Sequence, residues 1–171
     1  LFRSAAVVTA VSLRDYLGGA DAHGGSVALA FGVAMLVCAV VGAVAGLLIT
    51  VFKIPPFVAT LGLMMVARGA CYILAGGADA VKIDAPAISS LYDASVFGVS
   101  SQIILMVILF ITAHVVMTHT PFGRYVYAVG GNVSAARLSG VPVMAVLITV
   151  YIVCGLCAGI AGVLDASHFL T

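Results

Sequence analysis

The chain has 171 residues, of which 64% are apolar and only 8% are Asp, Glu, Lys or Arg, whereas a soluble domain carries about 25% charged residues. Its mean hydropathy is +1.29. Too few polar side chains are present to cover a globular surface in water, which excludes a soluble cytoplasmic enzyme. A net charge of +1 without a basic run argues against a nucleic-acid partner. The four cysteines lie in apolar stretches, which argues against a disulfide-stapled secreted domain.

Long stretches without a charged residue indicate membrane-spanning helices. The three longest cover residues 22–52, 94–123 and 138–164, and each exceeds the roughly 20 helical residues that cross a bilayer. Because backbone groups in lipid must pair within their own segment, and no alternating pattern indicates a barrel, we predict an all-α polytopic bundle. The predicted spans, four full and one truncated at the amino-terminal end, are Val27–Phe52, Phe57–Ala75, Gln102–Met117, Val143–Leu164 and Leu1–Leu13. Residues 1–171 are interpreted as a single transmembrane domain and an internal piece of a longer protein.

The charges of the connecting segments predict an orientation. Segments 14–26 and 76–96, with the end of the last span, contain all six acidic residues and two basic ones. The start of the chain, 53–56 and 118–142 contain four basic residues and no acid. Because basic residues in short loops favour the cytoplasmic side, we predict that 118–142 is cytoplasmic and 76–96 extracytoplasmic.

Small residues recur four apart in two of the predicted spans. Gly42 and Gly46 have this spacing, as do Gly155 and Gly159, and Gly162 extends the second series. Residues four apart share a helix face, and small ones let two backbones approach closely. We therefore predict helix packing rather than pore lining at these glycines. Residues 37–48 also resemble 153–164, which is compatible with an internal repeat or with shared small-residue composition.

Arg68 is the charged residue inside a predicted span, where a charge costs about 2.5–3.5 kcal/mol on insertion scales. It either faces a protein interior or a wet cavity, or it snorkels from a shallow outer end. No catalytic or metal site is predicted. Cys154 and Cys157 form a C-x-x-C without further ligands. Ser139 and His168 are predicted on opposite sides of the membrane, too far apart to act as nucleophile and base.

Segment 118–142 contains the signals of a short capped helix. Asn132 is a good N-cap, Val133–Ser139 gives about two turns, and Gly140 followed by Pro142 ends them. A sharp bend is predicted at the two glycines that precede the helix, Gly130 and Gly131.

This short helix has small residues on its surface, with Arg137 beside them. Such a surface is suited to docking into a groove on another protein. The alternative is a helix lying along the lipid headgroups, although Ser134, Ala135 and Ala136 would bury little apolar area there.

Three blocks of the sequence resemble one family. They are TPFGRYVYAVGGNVSAARLSGV at 120–141, KIPPFVATLGLMMVARG at 53–69 and YIVCGLCAGIAGVLDAS at 151–167. In this order and spacing they are similar to monosaccharide permeases of ATP-binding-cassette importers, the ribose, xylose and arabinose type within the branched-chain amino acid and sugar permease superfamily. The similarity runs from about Gly25 to the end, with Asp165 where the family usually has another residue.

The resemblance implies a permease half in the cytoplasmic (inner) membrane that pairs with a second copy of itself. It would receive sugar from an extracytoplasmic binding protein and rest on two ATPase subunits. No G-x-x-x-x-G-K-[ST] is present, so ATP and Mg²⁺ would be bound by the partner and no cofactor by this chain.

Two sets of residues follow from the resemblance. The residues that match the family's ATPase-coupling segment are Gly123, Arg124, Gly130, Gly131, Asn132, Ala135, Ala136, Arg137, Ser139 and Gly140. Candidates for the sugar path are Phe57, Thr60 and Arg68.

Rival functions stay open. An ion-coupled secondary transporter or channel without an ATPase would have the same composition. Such proteins place ionisable residues at mid-bilayer, and here only Arg68 qualifies. A structural membrane subunit is a third possibility. Within the resembled family, a nucleoside or an autoinducer sugar is the alternative to a pentose or hexose.

Overall fold

The computed structural model describes residues 24–74, 95–96 and 99–169. In this part of the chain the helices are α1 (Gly24–Phe52), α2 (Pro56–Leu74), α3 (Ser101–His119), α4 (Pro121–Gly131), α5 (Val133–Leu138) and α6 (Val143–Phe169). Two-residue strands, β1 (Ser95–Val96) and β2 (Val99–Ser100), pair antiparallel immediately before α3. The protein is therefore an all-α bundle, as the composition predicts.

Four of these helices are long and apolar enough to cross a membrane. The stretches concerned are Phe31–Phe52, Pro56–Ile73, Gln102–His119 and Val143–Gly162. They confirm the four full spans that the sequence predicts, with ends shifted by a few residues. The truncated span over 1–13 and most of segment 76–96 lie outside the described residues.

The main tertiary contact joins α1 and α6 through glycines. A methyl group on Gly42 would overlap the carbonyl oxygen of Tyr151, and one on Gly155 would overlap that of Cys38. These backbones therefore touch without intervening side chains. Because lipid is as apolar as the side chains it would replace, close van der Waals packing of this kind drives helix association in a membrane.

The α1–α6 contact has a local two-fold symmetry. A methyl carbon on Gly46 would lie 3.0 Å from Cα of Ile148, and one on Gly159 would lie 3.3 Å from Cα of Met35. A two-fold rotation that exchanges the two helices therefore relates the Gly46–Ile148 contact to the Gly159–Met35 contact. Gly42 and Gly155 face each other at the centre. The two helices run antiparallel, so the carboxyl end of α1 and the amino end of α6 lie at the same end of the pair.

The other two spans are much less covered by the described residues. Helix α2 packs on α1 with one face, on which Ala59 is buried and Leu63, Ala67 and Cys71 are half-buried. Helix α3 is joined mainly to α4 and β2. The faces of α2 and α3 that point away from these contacts are open in the described part of the chain.

Between α1 and α2, the turn of residues 53–55 contains a left-handed residue that is not glycine. Lys53 follows the last residue of α1 and has a φ of 52°. The next residues, Ile54 and Pro55, lead into α2, where the Pro55 carbonyl accepts from the amides of Val58 and Ala59. The turn therefore reverses the chain within three residues and brings α2 against α1.

Candidate functional site

Asn132 joins two helices without a linker. Its backbone N–H donates to the carbonyl of Ala128 and ends α4, while its side-chain oxygen accepts from the amides of Ser134 (2.9 Å) and Ala135 (3.1 Å) and begins α5. The N-cap predicted from the sequence is therefore present. The residue itself is extended (φ −157°, ψ 109°), so the chain turns at this single position.

The predicted bend at Gly130 and Gly131 is wrong. Both residues lie in the last turn of α4 with no positive φ, and the bend follows them at Asn132. The physical reason is that the N-cap geometry of Asn132 supplies the extended residue that a change of direction requires, so the glycines continue the helix instead.

The carboxyl end of α5 is closed by a Schellman motif. Val141 N–H donates to the carbonyl of Ala136 (3.0 Å), and Gly140 N–H donates to that of Arg137 (3.1 Å). Gly140 has a φ of +79°, a left-handed conformation that favours glycine. With hydrogen-bonded caps at both ends, α5 is a well-defined helix although it has only six residues.

A small apolar cluster fixes α5 against its neighbours. Ala136 is buried with Val129 of α4 and with Val143 and Val146 of α6. Val141, the residue after the left-handed glycine, packs against the same cluster, as is common for this motif. One face of α5 is therefore attached to the first turns of α6, so α5 and α6 are expected to move together.

The opposite face of α5 presents an exposed leucine. Leu138 is 91% exposed and lies about 200° around the helix from the buried Ala136, on the same side as Ser134. It is the most exposed of the large apolar residues in the described part of the chain. The sequence alone does not single out Leu138, because an apolar residue near a span is expected to be buried. The sequence does contain one signal for exposure: Leu138 lies two residues after Ala136 on a capped helix, and residues two apart point to different sides of a helix.

The residues of the predicted coupling segment divide into two groups. Eight are exposed: Arg124, Gly130, Gly131, Asn132, Ala135, Arg137, Ser139 and Gly140. Gly123 and Ala136 are buried. A methyl group on Gly123 would overlap the Met117 carbonyl, so this glycine allows α4 to start against the end of α3. The two buried residues thus hold the surface in place, and the exposed ones form it.

The amino end of α4 is capped by a threonine. The Thr120 hydroxyl accepts from Gly123 N–H at 3.3 Å and donates to the Val116 carbonyl at 2.6 Å. Pro121 occupies the first turn, where its missing N–H has no cost. Helix α4 is not among the predicted elements, although the Thr120–Pro121 pair is a helix start signal.

The predicted path residues share one face of α2. Phe57, Thr60 and Arg68 are all exposed, and with Met64 they follow the spacing i, i+3, i+7, i+11 that defines a helix stripe. The stripe lies about 90° around the helix from the face that packs on α1. The Thr60 hydroxyl donates to the Pro56 carbonyl at 2.9 Å. The charge of Arg68 therefore has no covering helix within the described residues.

The C-x-x-C cysteines Cys154 and Cys157 are both exposed free thiols, while Gly155 between them is buried against α1. Within the described residues, no group of three or more His, Cys, Asp or Glu side chains is arranged to hold a metal ion.

Comparison with known proteins gives matches over most of the chain. Residues 2–170 match the model of a family described as branched-chain amino acid transport system / permease component. The ribose import permease protein RbsC of Escherichia coli (strain K12) is 34% identical over 144 residues, 82% of this chain and 44% of the relative. The L-arabinose ABC transporter permease protein AraH of Azospirillum brasilense is 39% identical over 143 residues, 84% of this chain and 42% of the relative.

A third relative, the galactofuranose transporter permease protein YtfT of Escherichia coli (strain K12), is 34% identical over 122 residues, 71% of this chain and 36% of the relative. The chain thus spans less than half the length of these relatives. No solved structure matches it.

Proposed function

Because the chain belongs to the family of branched-chain amino acid transport system permease components, we propose that it is the membrane-spanning subunit of an ATP-binding-cassette importer for a monosaccharide. The similar proteins are named for ribose, L-arabinose and galactofuranose, which favours a pentose or hexose over a nucleoside. In this proposal the chain pairs with a second copy in the cytoplasmic membrane. It takes sugar from an extracytoplasmic binding protein and leaves ATP and Mg²⁺ to a separate ATPase.

The exposed face of α5 is the observation that carries the proposal. A leucine that is 91% exposed on a doubly capped helix exposes apolar area to water, and burial of a leucine side chain contributes about 1.5–3 kcal/mol. Such a residue fits an anchor that becomes buried when a partner docks. In the proposed orientation, the partner at this end is the ATPase.

The packing of α5 gives a route for the movement. ATP binding would bring two ATPase subunits together and shift α5. Since Ala136 is buried against Val143 and Val146, α6 would follow α5. Helix α6 in turn is locked to α1 by the contact between Gly42 and Gly155. A displacement at the cytoplasmic surface would therefore reach two spans together and tilt them to open the path outward.

Substitution of Ala135 tests the coupling. Ala135 is exposed on α5, so Ala135→Arg leaves the caps and the buried cluster intact but adds bulk and charge to the docking surface. We expect normal insertion in the membrane, loss of copurifying ATPase and at least tenfold slower uptake of labelled sugar, since one displaced contact of about 1.4 kcal/mol is a factor of ten.

The matched control is Ala135→Ser, which keeps a small side chain and is expected to retain ATPase binding and uptake. Uptake that is unchanged in Ala135→Arg would contradict the coupling role. Uptake by wild-type protein without any ATPase would instead favour a secondary transporter or channel.

The proposed sugar path lies along the stripe of Phe57, Thr60, Met64 and Arg68 on α2. A charged residue in a span is placed toward protein or water rather than acyl chains, and this supports the assignment. Accessibility provides the test. In a chain with its native cysteines replaced, Met64→Cys should react with a charged thiol reagent, and sugar should slow the reaction.

Val66→Cys is the control, because Val66 is also exposed at nearly the same depth but on the opposite side of α2. It is expected to face lipid and to remain unlabelled. Equal labelling at the two positions would contradict the assignment of the path to this face.

A further inference from the structure

An open groove lies where α5 meets the beginning of α6. It has a volume of about 470 Å³, within the range of about 300–1,000 Å³ common for small-ligand sites, and is lined by Arg137, Pro142, Val143, Met144, Ala145 and Ile148. Its walls are apolar apart from the Arg137 side chain. Leu138 does not line it, so the groove is a surface distinct from the outer face of α5.

The position of the groove relative to the span is informative. The apolar stretch of α6 begins at Val143, and Ile148 lies about 8 Å further along the helix axis. The interfacial layer on each side of the hydrocarbon core is about 5–8 Å thick. The groove therefore extends from the headgroup layer to the first part of the acyl chains, with Arg137 at its aqueous end.

The charge at this end of the bundle is positive. Lys53, Arg124 and Arg137 are exposed there, and the sequence contains no acid between residues 22 and 78 or between 94 and 164. Asp165, the acidic residue among the described ones, comes 22 residues after Val143 in the sequence, toward the opposite end of α6. An anion beside Arg137 thus meets no opposing negative charge from this end of the described chain.

We propose that this groove binds an anionic phospholipid, with its phosphate on the Arg137 guanidinium and the start of an acyl chain along Met144 and Ile148. The guanidinium fork matches phosphate oxygens, and the apolar wall matches the chain. A zwitterionic lipid would bring its own ammonium group toward the cations of this surface, which disfavours it. Arg137 lies between the groove and the outer face of α5 that presents Leu138, so it borders both surfaces, but the lipid assignment does not depend on the ATPase contact.

Lipid titration of the purified permease, followed by native mass spectrometry, tests the proposal. The wild-type protein should bind its first phosphatidylglycerol more tightly than phosphatidylcholine. Arg137→Gln should weaken the binding of phosphatidylglycerol about fivefold, the effect of one basic residue near an anionic lipid surface. Ala145→Phe, which fills the groove and keeps the charge, should weaken the binding of both lipids.

Arg124→Gln is the matched control, because it removes the same charge from an exposed position on α4 outside the groove. It is expected to leave the first binding event unchanged, and excess inorganic phosphate should not displace the lipid. Equal weakening by Arg124→Gln would show a diffuse surface potential, and displacement by phosphate would show a simple ion site. Either result, or unchanged lipid binding in Arg137→Gln, overturns the proposal.

Discussion

The α1–α6 contact and the corner at α5 are both compact, but different forces hold them. In the membrane pair, backbone packs on backbone because Gly42 and Gly155 have no side chains to keep the helices apart. At the corner, Asn132 and Gly140 close the helix ends with hydrogen bonds, and a few valines bury Ala136. Lipid removes the hydrophobic gain from helix association, so packing density must replace it. At the corner, the Asn132 side chain and the Gly140 and Val141 amides supply the partners that the free amides and carbonyls of helix ends require.

The largest expected effect concerns the centre of the membrane contact. Gly42→Ala and Gly155→Ala each place a methyl group into a facing backbone carbonyl, and overpacking of this kind typically costs about 1–3 kcal/mol. The local two-fold predicts similar losses for the two variants. Because the glycines touch each other, the double variant should lose less than the sum. Unfolding in mixed detergent micelles, followed by circular dichroism, measures these free energies.

Gly32→Ala is the control for this series. Gly32 is also in α1, but a methyl group there would meet open space, and glycine to alanine in a helix gains about 0.5–1 kcal/mol. A destabilisation as large as that of Gly42→Ala would show that glycine itself, rather than the contact with α6, is needed in this helix.

A smaller effect is expected at the corner. Asn132→Ala removes the oxygen that accepts from the amides of Ser134 and Ala135, a loss of about 1 kcal/mol for an N-cap. Because α5 is short, this loss should appear as faster hydrogen exchange of its amides rather than as global unfolding. Asn132→Ser supplies another capping oxygen and should restore slow exchange. Fast exchange in both variants would mean that the side chain is not the cap.

The smallest expected effect concerns the two residues whose backbone has a left-handed conformation. Lys53 and Gly140 both follow a helix with positive φ, but only one of them is glycine. Replacing Lys53 by glycine removes left-handed strain of about 1–2 kcal/mol from the folded state, but it also adds conformational freedom to the unfolded chain. The free energy of unfolding should therefore rise by about 0.5 kcal/mol in Lys53→Gly. Gly140→Lys should destabilise α5. A loss of stability in Lys53→Gly would show that the lysine side chain makes a contact worth more than the strain.

The spans and the caps of α5 were predictable because they depend on local signals. Runs of apolar residues suffice to locate membrane helices, and Asn132 and Gly140 define the ends of a short helix by their own conformational preferences. The sequence does not reveal the register of a tertiary contact. Aligning 37–48 with 153–164 makes Gly42 equivalent to Ala158, whereas the local two-fold of the folded pair makes it equivalent to Gly155.

In the candidate site, too, local signals predict some features and only the packing shows others. The resemblance selects Gly123 and Ala136 for the coupling segment, but only packing shows that both are buried. Leu138 has the opposite fate. Its chemistry predicts burial, while the positions of the two caps rotate it outward. Which residue of a six-residue helix faces a partner depends on a rotation that no single residue encodes.

The double use of Asn132 also determines how the segment can change in length. Surface connections usually tolerate insertions and deletions. Here one residue both ends α4 and begins α5, and no linker residue lies between the two helices. A single extra residue in α5 after the buried Ala136 would turn Leu138 by about 100°. Homologous chains should therefore vary in side chains across 128–141 while keeping its residue count constant.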